Sequence, residues 1–326
     1  MKLRAILPLS ALAAALPALA ETPAIVDTAT PAAATGLVDP SAEVLALEEE
    51  RNRRLTVPVL VEGSGPYAFM IDTGSQATAV TQEIRTALAL APAGRATLVG
   101  MASRRQVDLV DVGRIEFGSN SFTNFTAPVL EREHVGADGI IGLDALQDFR
   151  VLLDFRNQTI AVEDANSRDS GGGFEIIVRA RTKLGQLLIT DALIEGVRAT
   201  VIIDTGAQAS LANTALRERI RAKRAQEVLT TDVNGVDLTG DLVFVRDLNI
   251  EGLALTNVPL TFADTPAFEA LGLNDQPAIS LGMQHLALFD RVAIDFAKQR
   301  ILFDVPRDVA KALREAKRLN SFKLGF

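Results

Sequence analysis

The sequence contains no cysteine, only two histidines and a single tyrosine among its 326 residues. Without cysteine the chain can form no disulfide, no zinc-thiolate site, no thiolate nucleophile and no lipid-bearing cysteine. His134 and His285 lack metal-ligand spacing, so each is interpreted as a loop or helix-start residue. The sequence also lacks a Gly-x-Ser-x-Gly elbow, a P-loop and a dinucleotide fingerprint. We therefore expect neither a metal nor a cofactor.

Positive charge is scarce as well. The chain has 33 basic and 41 acidic residues and a formal net charge of −8. This balance argues against nucleic acid and anionic membrane surfaces as partners. Because 48% of the residues are hydrophobic, the chain can bury a large core and is long enough for about two domains.

Residues 1–20 have the layout of a secretory signal. Lys2 and Arg4 precede an Ala/Leu-rich stretch that ends in Ala18-Leu19-Ala20, a small-residue cleavage site. The apolar stretch is short for a membrane span. We therefore expect cleavage after Ala20 and a periplasmic or secreted protein. The alternative is an uncleaved inner-membrane anchor that leaves the protein facing the periplasm.

Composition divides the rest of the chain into segments. An Ala/Thr/Pro-rich stretch predicts a flexible tether, followed by a short helix from Ser41 to Arg54 with Ser41 as its cap. The polar, glycine-rich "DANSRDSGGG" predicts a linker between two lobes of similar size. The predicted segments are a signal peptide (1–20), a tether with a short helix (21–54), an N-terminal lobe (55–163), a linker (164–173), a C-terminal lobe (174–305) and a basic amphipathic helix (306–326).

An internal duplication relates the two lobes. The segments "IDTGSQAT" (71–78) and "IDTGAQAS" (203–210) each follow a predicted hairpin. A single Asp-Thr-Gly is most often a strand that runs into a turn. Here, however, "GIIGLDALQDFRVLLDF" and "ISLGMQHLALFDRVAIDF" also match, and they align Gly142 with Gly282. Because the order of segments is the same in both lobes, the sequence predicts a duplicated, mostly β unit with a short helix after each apolar-Gly segment.

Asp72 and Asp204 are the catalytic candidates that remain. If the lobes pack about a pseudo-twofold axis, the two repeated loops meet at that axis. Two carboxylates in contact share one proton over a range of pH. The ionised member can then act as a general base on a water, and the protonated member can donate to a carbonyl oxygen. This chemistry hydrolyses an amide without metal, serine or cysteine.

The residues after each aspartate fit such a site. Gly74 and Gly206 permit a tight turn whose backbone approaches the carboxylate closely. Thr73 and Thr205 are donors that can hydrogen-bond across the axis and brace the two loops. The alternative for these threonines is that they are ordinary strand-end residues.

The two halves differ at two positions near the aspartates. Ser75 follows the first Asp-Thr-Gly and Ala207 follows the second. A serine hydroxyl can donate to a carboxylate, so we expect Asp72 to be the more readily ionised member and Asp204 the more often protonated one. The polar Ser280 interrupts the expected apolar pair before Gly282, so the sequence leaves the loop support in the second half open.

These segments together resemble the aspartic proteases. Each Asp-Thr-Gly is followed by an apolar-Gly segment, Ile140-Ile141-Gly142 or Ser280-Leu281-Gly282, and the unit size is similar to that of the retroviral-like (retropepsin-like) branch. The resemblance covers residues 55–163 and 175–304. It implies an all-β fold of two retropepsin-like β-barrel lobes about a pseudo-twofold axis, each with a short helix. It further implies an active site between the lobes, with a catalytic water between the two aspartates.

The resemblance also implies hairpin flaps that cover an extended peptide. By position, the flaps are the hairpins from Leu98 to Val110 and from Leu229 to Val243; plain surface hairpins are the alternative. The candidate flap tips are Gly100, Met101, Asn234 and Gly235. Pepsin-type enzymes carry a tyrosine in their flap, whereas Tyr67 precedes the first Asp-Thr-Gly; this favours the retropepsin-like branch.

The functional hypothesis is an exported aspartic endopeptidase. The implied partner is a polypeptide substrate bound as an extended strand. Both halves lie in one chain, so a monomer with an internal pseudo-dimer is expected, with no membrane contact beyond the signal segment. One alternative stays open: a retropepsin-like scaffold that binds peptides or partner proteins without cleaving them. Two unrelated β domains with coincidental triplets do not survive the segment-by-segment match of the two halves.

Overall fold

The computed structural model describes residues 43–46, 48–49, 55–164, 173–221, 224–251, 253–307 and 309–310. The described residues are mostly β, with 55% strand and 12% helix, arranged as barrel-like sheets in two lobes. The predicted all-β, two-lobed fold is therefore confirmed. Within the described ranges, no helix is both long and apolar enough to cross a bilayer.

The described residues of the first half form eleven strands and three short helices. In chain order they are β1 (Glu43–Ala46), β2 (Glu48–Glu49), β3 (Leu55–Val61), β4 (Ser64–Ile71), β5 (Ala79–Thr81), α1 (Gln82–Ala87), β6 (Pro92–Val99), β7 (Arg104–Phe117), β8 (Asn120–Leu130), α2 (Arg132–Val135), β9 (Gly139–Ile141), α3 (Leu143–Leu146), β10 (Phe149–Asp154) and β11 (Thr159–Asp164).

The second half repeats this order. Its elements are β12 (Ile176–Arg179), β13 (Arg181–Lys183), β14 (Gln186–Ile194), β15 (Val197–Ile203), β16 (Leu211–Ala212), α4 (Thr214–Arg217), β17 (Gln226–Thr231), β18 (Asp237–Ile250), β19 (Leu253–Phe262), α5 (Pro266–Ala270), β20 (Ala278–Leu281), α6 (Met283–Leu286), β21 (Arg291–Asp295) and β22 (Arg300–Asp304). The helices predicted after the apolar-Gly segments are α3 and α6.

Each lobe is built on an eight-stranded sheet of the same topology. The strand orders are β2-β3-β4-β9-β5-β8-β7-β6 and β13-β14-β15-β20-β16-β19-β18-β17. Additional pairings of β3 with β7 and of β14 with β18 curl each sheet toward a barrel. The duplication read from the sequence is therefore present strand by strand.

Buried and exposed side chains alternate along the long strand β7, and the buried ones form part of the barrel core. In β7 the buried residues include Val110, Val112, Ile115 and Phe117, so the alternation shifts phase once along the strand. The partner strand β8 has a left-handed residue at that point, Asn124, with φ 56°. Such an irregularity bends the strand, so its outer end can leave the barrel as a hairpin.

Parallel pairing places the Asp-Thr-Gly segment of each half beside the apolar-Gly segment of the same half. β4 runs parallel to β9, and Ile71 pairs with Ile141; β15 runs parallel to β20, and Ile203 pairs with Leu281. These pairs put each Asp-Thr-Gly loop beside the apolar-Gly segment of its own lobe.

A third sheet joins the lobes. Its strand order is β1-β11-β10-β21-β22-β12, so strands from both halves share one six-stranded sheet. At its centre β10 and β21 pair antiparallel, with Leu152 opposite Ala293. This joint sheet holds the two lobes together.

Two sequence expectations concern the ends of the chain. The helix predicted from Ser41 to Arg54 is wrong at Glu43–Ala46 and Glu48–Glu49, which are strands. The reason is pairing: β1 adds to the edge of β11, and β2 adds to β3. For the predicted helix over 306–326, Ala310 N–H donates to the Pro306 carbonyl at 2.9 Å. Four predicted segments lie wholly or mostly outside the described residues. They are the remainder of that helix, the signal segment, the tether before residue 43 and linker residues 165–172.

Candidate active site

Each aspartate stands on a short loop directly after a buried strand. Asp72 N–H donates to the Ile141 carbonyl at 3.0 Å, and Asp204 N–H donates to the Leu281 carbonyl at 3.1 Å. These bonds fix the start of each loop on the neighbouring parallel strand. Both aspartates are 8% exposed, so the carboxylates are largely removed from water but still accessible at one edge.

The loop backbone holds one oxygen of each carboxylate. Oδ1 of Asp72 accepts from the N–H groups of Gly74 at 2.8 Å and Ser75 at 3.1 Å. Oδ1 of Asp204 accepts from Gly206 and Ala207, both at 3.1 Å. The two loops thus present their carboxylates in the same way. Hydrogen bonds from backbone N–H groups favour the ionised form of a carboxylate.

The structure brings the two loops together. A Cβ placed on Gly206 would lie 2.2 Å from Cγ of Asp72, and a Cβ placed on Gly74 would lie 2.6 Å from Oδ1 of Asp204. Each carboxylate therefore lies against the glycine of the opposite loop. Asp72 and Gly74 each lie 132 positions before their counterparts Asp204 and Gly206 in the sequence. In the structure these four residues form one cluster at the pseudo-twofold axis.

The threonines form a reciprocal brace. Thr73 N–H donates to Thr205 Oγ1 at 3.0 Å, and Thr205 N–H donates to Thr73 Oγ1 at 3.2 Å. Each hydroxyl then donates across the axis to the strand before the opposite aspartate. Thr73 Oγ1 donates to the Ile203 carbonyl and Thr205 Oγ1 to the Ile71 carbonyl, both at 2.7 Å. Because these groups are buried, the four bonds fix the spacing of the loops.

The serine near each aspartate does not act as its position in the sequence predicts. The hydroxyl of Ser75 donates to the Ala77 carbonyl at 2.9 Å. Ser280, in contrast, donates to Oδ2 of Asp204 at 2.9 Å. The expectation that the Ser75 hydroxyl favours ionisation of Asp72 is therefore wrong, because this hydroxyl is directed at its own loop.

The loop support is equivalent in the two halves, although Ser280 stands where the first half has an apolar residue. Gly142 N–H donates to Thr78 Oγ1 at 3.1 Å, and Gly282 N–H donates to Ser210 Oγ at 2.9 Å. The hydroxyl of Thr78 binds Asp144, whereas Ser210 Oγ lies 2.6 Å from Nδ1 of a histidine, His285. A polar residue at 280 does not interrupt this arrangement.

The histidine beside Ser210 is a buried residue of α6. Burial lowers the pKa of His285 from its ordinary value of 6.5, so the folded protein favours the neutral imidazole. The unfolded chain binds a proton more readily than the folded chain between the two pKa values. This histidine's contribution to stability is therefore fully present above about pH 6.5 and is lost as the pH falls below it.

This linkage gives a stability prediction. Between pH 7.5 and 5, wild type should lose free energy of unfolding more steeply than His285→Ala, with a difference in slope of at most about 1.4 kcal/mol per pH unit. Urea unfolding at several pH values measures both slopes. The matched control is Met283→Ala, which removes another buried side chain of α6 but no titratable group and should keep the wild-type slope. Equal slopes in wild type and His285→Ala would contradict the linkage.

The four candidate flap tips lie at hairpin turns. Gly100 and Met101 are in the turn between β6 and β7, and Asn234 and Gly235 are in the turn between β17 and β18. The turns are joined by Asp232, a buried residue that the sequence analysis did not identify.

The Asp232 carboxylate accepts hydrogen bonds from both hairpins. Its Oδ2 accepts from Ala102 N–H at 3.1 Å and from Ser103 Oγ at 2.8 Å, both in the first-lobe hairpin. Its Oδ1 accepts from the N–H groups of Asn234 and Val236 in its own turn. One carboxylate therefore holds both tips in a closed arrangement.

Each hairpin also rests on the opposite lobe. Met101 packs against the second-lobe cluster that includes Leu211 and Phe268. In the other direction, Gly235 lies against the His134 ring, where an added Cβ would be 2.4 Å from Cε1. The closed hairpins are thus fixed from both sides.

A cavity of about 380 Å³ lies between the aspartates and the hairpins. Its floor includes both aspartates and both glycines of the Asp-Thr-Gly loops, and its roof includes Gly100, Met101 and Asp232. Its apolar lining residues are Leu98, Val99, Pro128, Leu130, Ile140, Leu211, Leu229, Val233 and Leu238. A partly open, mainly apolar space with two carboxylates at its base suits a ligand that carries apolar groups.

Several site residues could not be identified from local sequence. Gln186, on β14, donates from Nε2 to the Gly74 carbonyl at 2.8 Å and so links the second lobe to the first loop. Asp232 resembles an ordinary turn residue in the sequence. Ser280 did give a sequence signal, its departure from the apolar pattern, but the meaning of that signal required the structure.

Two barrel-like lobes that each bring an Asp-Thr-Gly loop to a common axis define the two-lobed aspartic protease class. A family model described as "Aspartyl protease" matches residues 57–145 and 190–285, one match in each lobe and more than half of the chain. The chain therefore belongs to the retropepsin-like aspartyl protease family. A comparison with curated proteins gave no match.

Proposed function

We propose that the protein is an aspartic endopeptidase that hydrolyses peptide bonds through a water held between Asp72 and Asp204. The observation that carries this proposal is the contact of each carboxylate with the glycine of the opposite loop. Two carboxylates so placed cannot both ionise at low cost, so they share one proton over a range of pH. One can then accept a proton while the other donates one.

The reaction balances with the two aspartates alone. The ionised carboxylate takes a proton from the water as its oxygen adds to the peptide carbonyl carbon. The protonated carboxyl gives its proton to the carbonyl oxygen, which produces a gem-diol. When the C–N bond breaks, the nitrogen takes the proton that came from the water, and the other carboxylate regains its proton from a gem-diol hydroxyl. The pair ends with one proton, as it began.

The proposed substrate is a polypeptide bound as an extended strand beneath the two hairpins. The apolar walls of the cavity fit apolar side chains, and the hairpin backbones can pair with a substrate strand. The signal-like residues 1–20 and the acidic charge favour exported or periplasmic proteins as substrates, and the internal pseudo-dimer favours action as a monomer. The charge gives no support to a nucleic-acid partner.

The test is cleavage of a peptide library by the chain from Glu21 onward, from acidic to neutral pH. We expect cleavage that a statine-type transition-state mimic blocks and that metal chelators and serine-hydrolase inhibitors leave intact. The cleavage sites would also give the specificity. If the folded protein cuts nothing at any pH but binds peptides, the alternative of a non-cleaving scaffold replaces this proposal.

A further inference from the structure

A hydroxyl beside Asp204 has no counterpart at the equivalent position of the first lobe. Ser280 is 4% exposed, and its Oγ lies 2.9 Å from Oδ2 of Asp204. In the parallel pairing of β15 with β20, Ile202 is opposite Ser280. The same pairing in the first lobe sets Met70 opposite Ile140, so the equivalent position carries a side chain without a hydrogen-bonding group. The pseudo-twofold symmetry is broken at this position.

We propose that Ser280 is a positioning residue that keeps Asp204 ionised and so makes Asp204 the general base and Asp72 the general acid. This inference rests on the proposed function and specifies the roles within it. It reverses the assignment that the Ser75/Ala207 difference predicts from the sequence.

The hydrogen bonds around Asp204 support this assignment. Its Oδ1 accepts from the N–H groups of Gly206 and Ala207, and its Oδ2 accepts from Ser280. A carboxylate that accepts three hydrogen bonds is stabilised in its ionised form. Bonds to charged groups are also stronger than those between neutral groups. The Ser280 hydroxyl has one proton to give, and Oδ2 is the acceptor it faces.

The assignment fixes the direction of proton transfer. Asp204 takes the proton of the attacking water as the new C–O bond forms, and Asp72 gives its proton to the carbonyl oxygen. After the C–N bond breaks, Asp204 has passed its proton to the nitrogen and Asp72 has regained one. The shared proton therefore rests on Asp72 at the start of each cycle.

Other titratable groups surround the pair and have to be separated from it. Asp72 faces Asp204 from the opposite loop, and Asp232 lines the same cavity from above. His285 is connected through Ser210, which accepts from Gly282 N–H. Because coupled carboxylates titrate as a pair, Asp204 can be followed alone only when Asp72 is replaced.

The first test is a direct titration of Asp204 by NMR. Aspartate-selective ¹³C labelling in the Asp72→Asn protein, with Asp72→Asn/Asp204→Asn to identify the signal, gives the titration midpoint. We expect Ser280→Ala to raise this midpoint by about 1 pH unit, the equivalent of one hydrogen bond to a charged group. Ser280→Thr should restore it, and Ser75→Ala should leave it unchanged. An unchanged or lowered midpoint in Ser280→Ala would overturn the proposal.

A second variant adds the hydroxyl instead of removing it. Ile140→Ser places a hydroxyl at the equivalent position beside Asp72. In the Asp204→Asn background, this change should lower the titration midpoint of Asp72, and a midpoint that stays or rises would count against the proposal. The Ile140→Ser variant still tests the proposal if the Ser280→Ala protein does not fold.

Activity gives an independent readout. With both aspartates present, Ser280→Ala should shift the acidic limb of the kcat/KM profile to higher pH, with a loss of about tenfold on that limb. A uniform loss at all pH values would indicate a merely structural role and contradict the proposal. The NMR titration needs no catalysis, so a wild type that cuts nothing would refute the proposed function without deciding the role of Ser280.

Discussion

Replacing Asp72 or Asp204 by Asn is expected to lower kcat/KM for peptide cleavage by at least about 10³-fold, with the protein still folded. Asparagine keeps the shape and can still accept from the loop N–H groups, but it can neither take nor hold the shared proton. Because the pair acts as a unit, the double variant should lose little more than either single variant.

The stability of these variants should not fall together with their kcat/KM. Removing one of two adjacent buried carboxylates relieves their repulsion, so the melting temperature should stay level or rise. Circular dichroism melts beside steady-state cleavage separate the two effects. Asp154→Asn is a matched control, since Asp154 is also buried and accepts from the N–H of Asn157, away from the cavity. Full activity in either dyad variant would remove the basis of the mechanism.

Gly206→Ala should be strongly damaging although Gly206 carries no chemistry. The new methyl would lie 2.2 to 2.4 Å from the carboxylate atoms of Asp72, whose Oδ1 is held by two loop N–H groups. The carboxylate has to move or the loops have to separate. We expect a loss of kcat/KM of about 10²-fold or more and a destabilisation of about 1–3 kcal/mol.

A double variant tests whether this clash is the cause. In Gly206→Ala/Asp72→Gly the carboxylate is gone, so urea unfolding should show much of the lost stability restored while activity stays absent. Gly113→Ala is the control at an exposed position away from the cavity, because its Cβ would lie 3.1 Å from the Glu62 carboxylate, a much smaller overlap than at Gly206. If Gly206→Ala is as stable and active as Gly113→Ala, the close packing of the loops is not as described.

The sequence predicted the parts of the site that lie in consecutive residues. The repeated Asp-Thr-Gly carries its own turn, carboxylate and threonine, and a duplicated order of strands implies a pseudo-twofold axis that brings the two copies together. Gly74 and Gly206 and their partners could therefore be anticipated. This inference needed no knowledge of the sheets.

The remaining parts depend on contacts between distant segments. Asp232 meets Ser103 across 129 residues, and Ser280 meets Asp204 across 76. Whether a hydroxyl faces a carboxylate or its own backbone depends on strand register, and register is set by the whole sheet. For the same reason the strand at Glu43–Ala46 was predicted as a helix, because its partner β11 lies more than 110 residues further along the chain.

The pairing of β10 with β21 has a consequence for how such a chain could arise. The residues of this junction occupy equivalent places in the two halves, and Leu152 and Ala293 face each other at its centre. A half-length chain with β10 alone could pair this strand with its own copy in a second molecule, since an isologous contact is self-complementary. The joint sheet therefore has the self-complementary geometry of a homodimer interface, formed within one polypeptide. In a homodimer the two sides of this axis would have to be identical, whereas a single chain can place a leucine on one side opposite an alanine on the other.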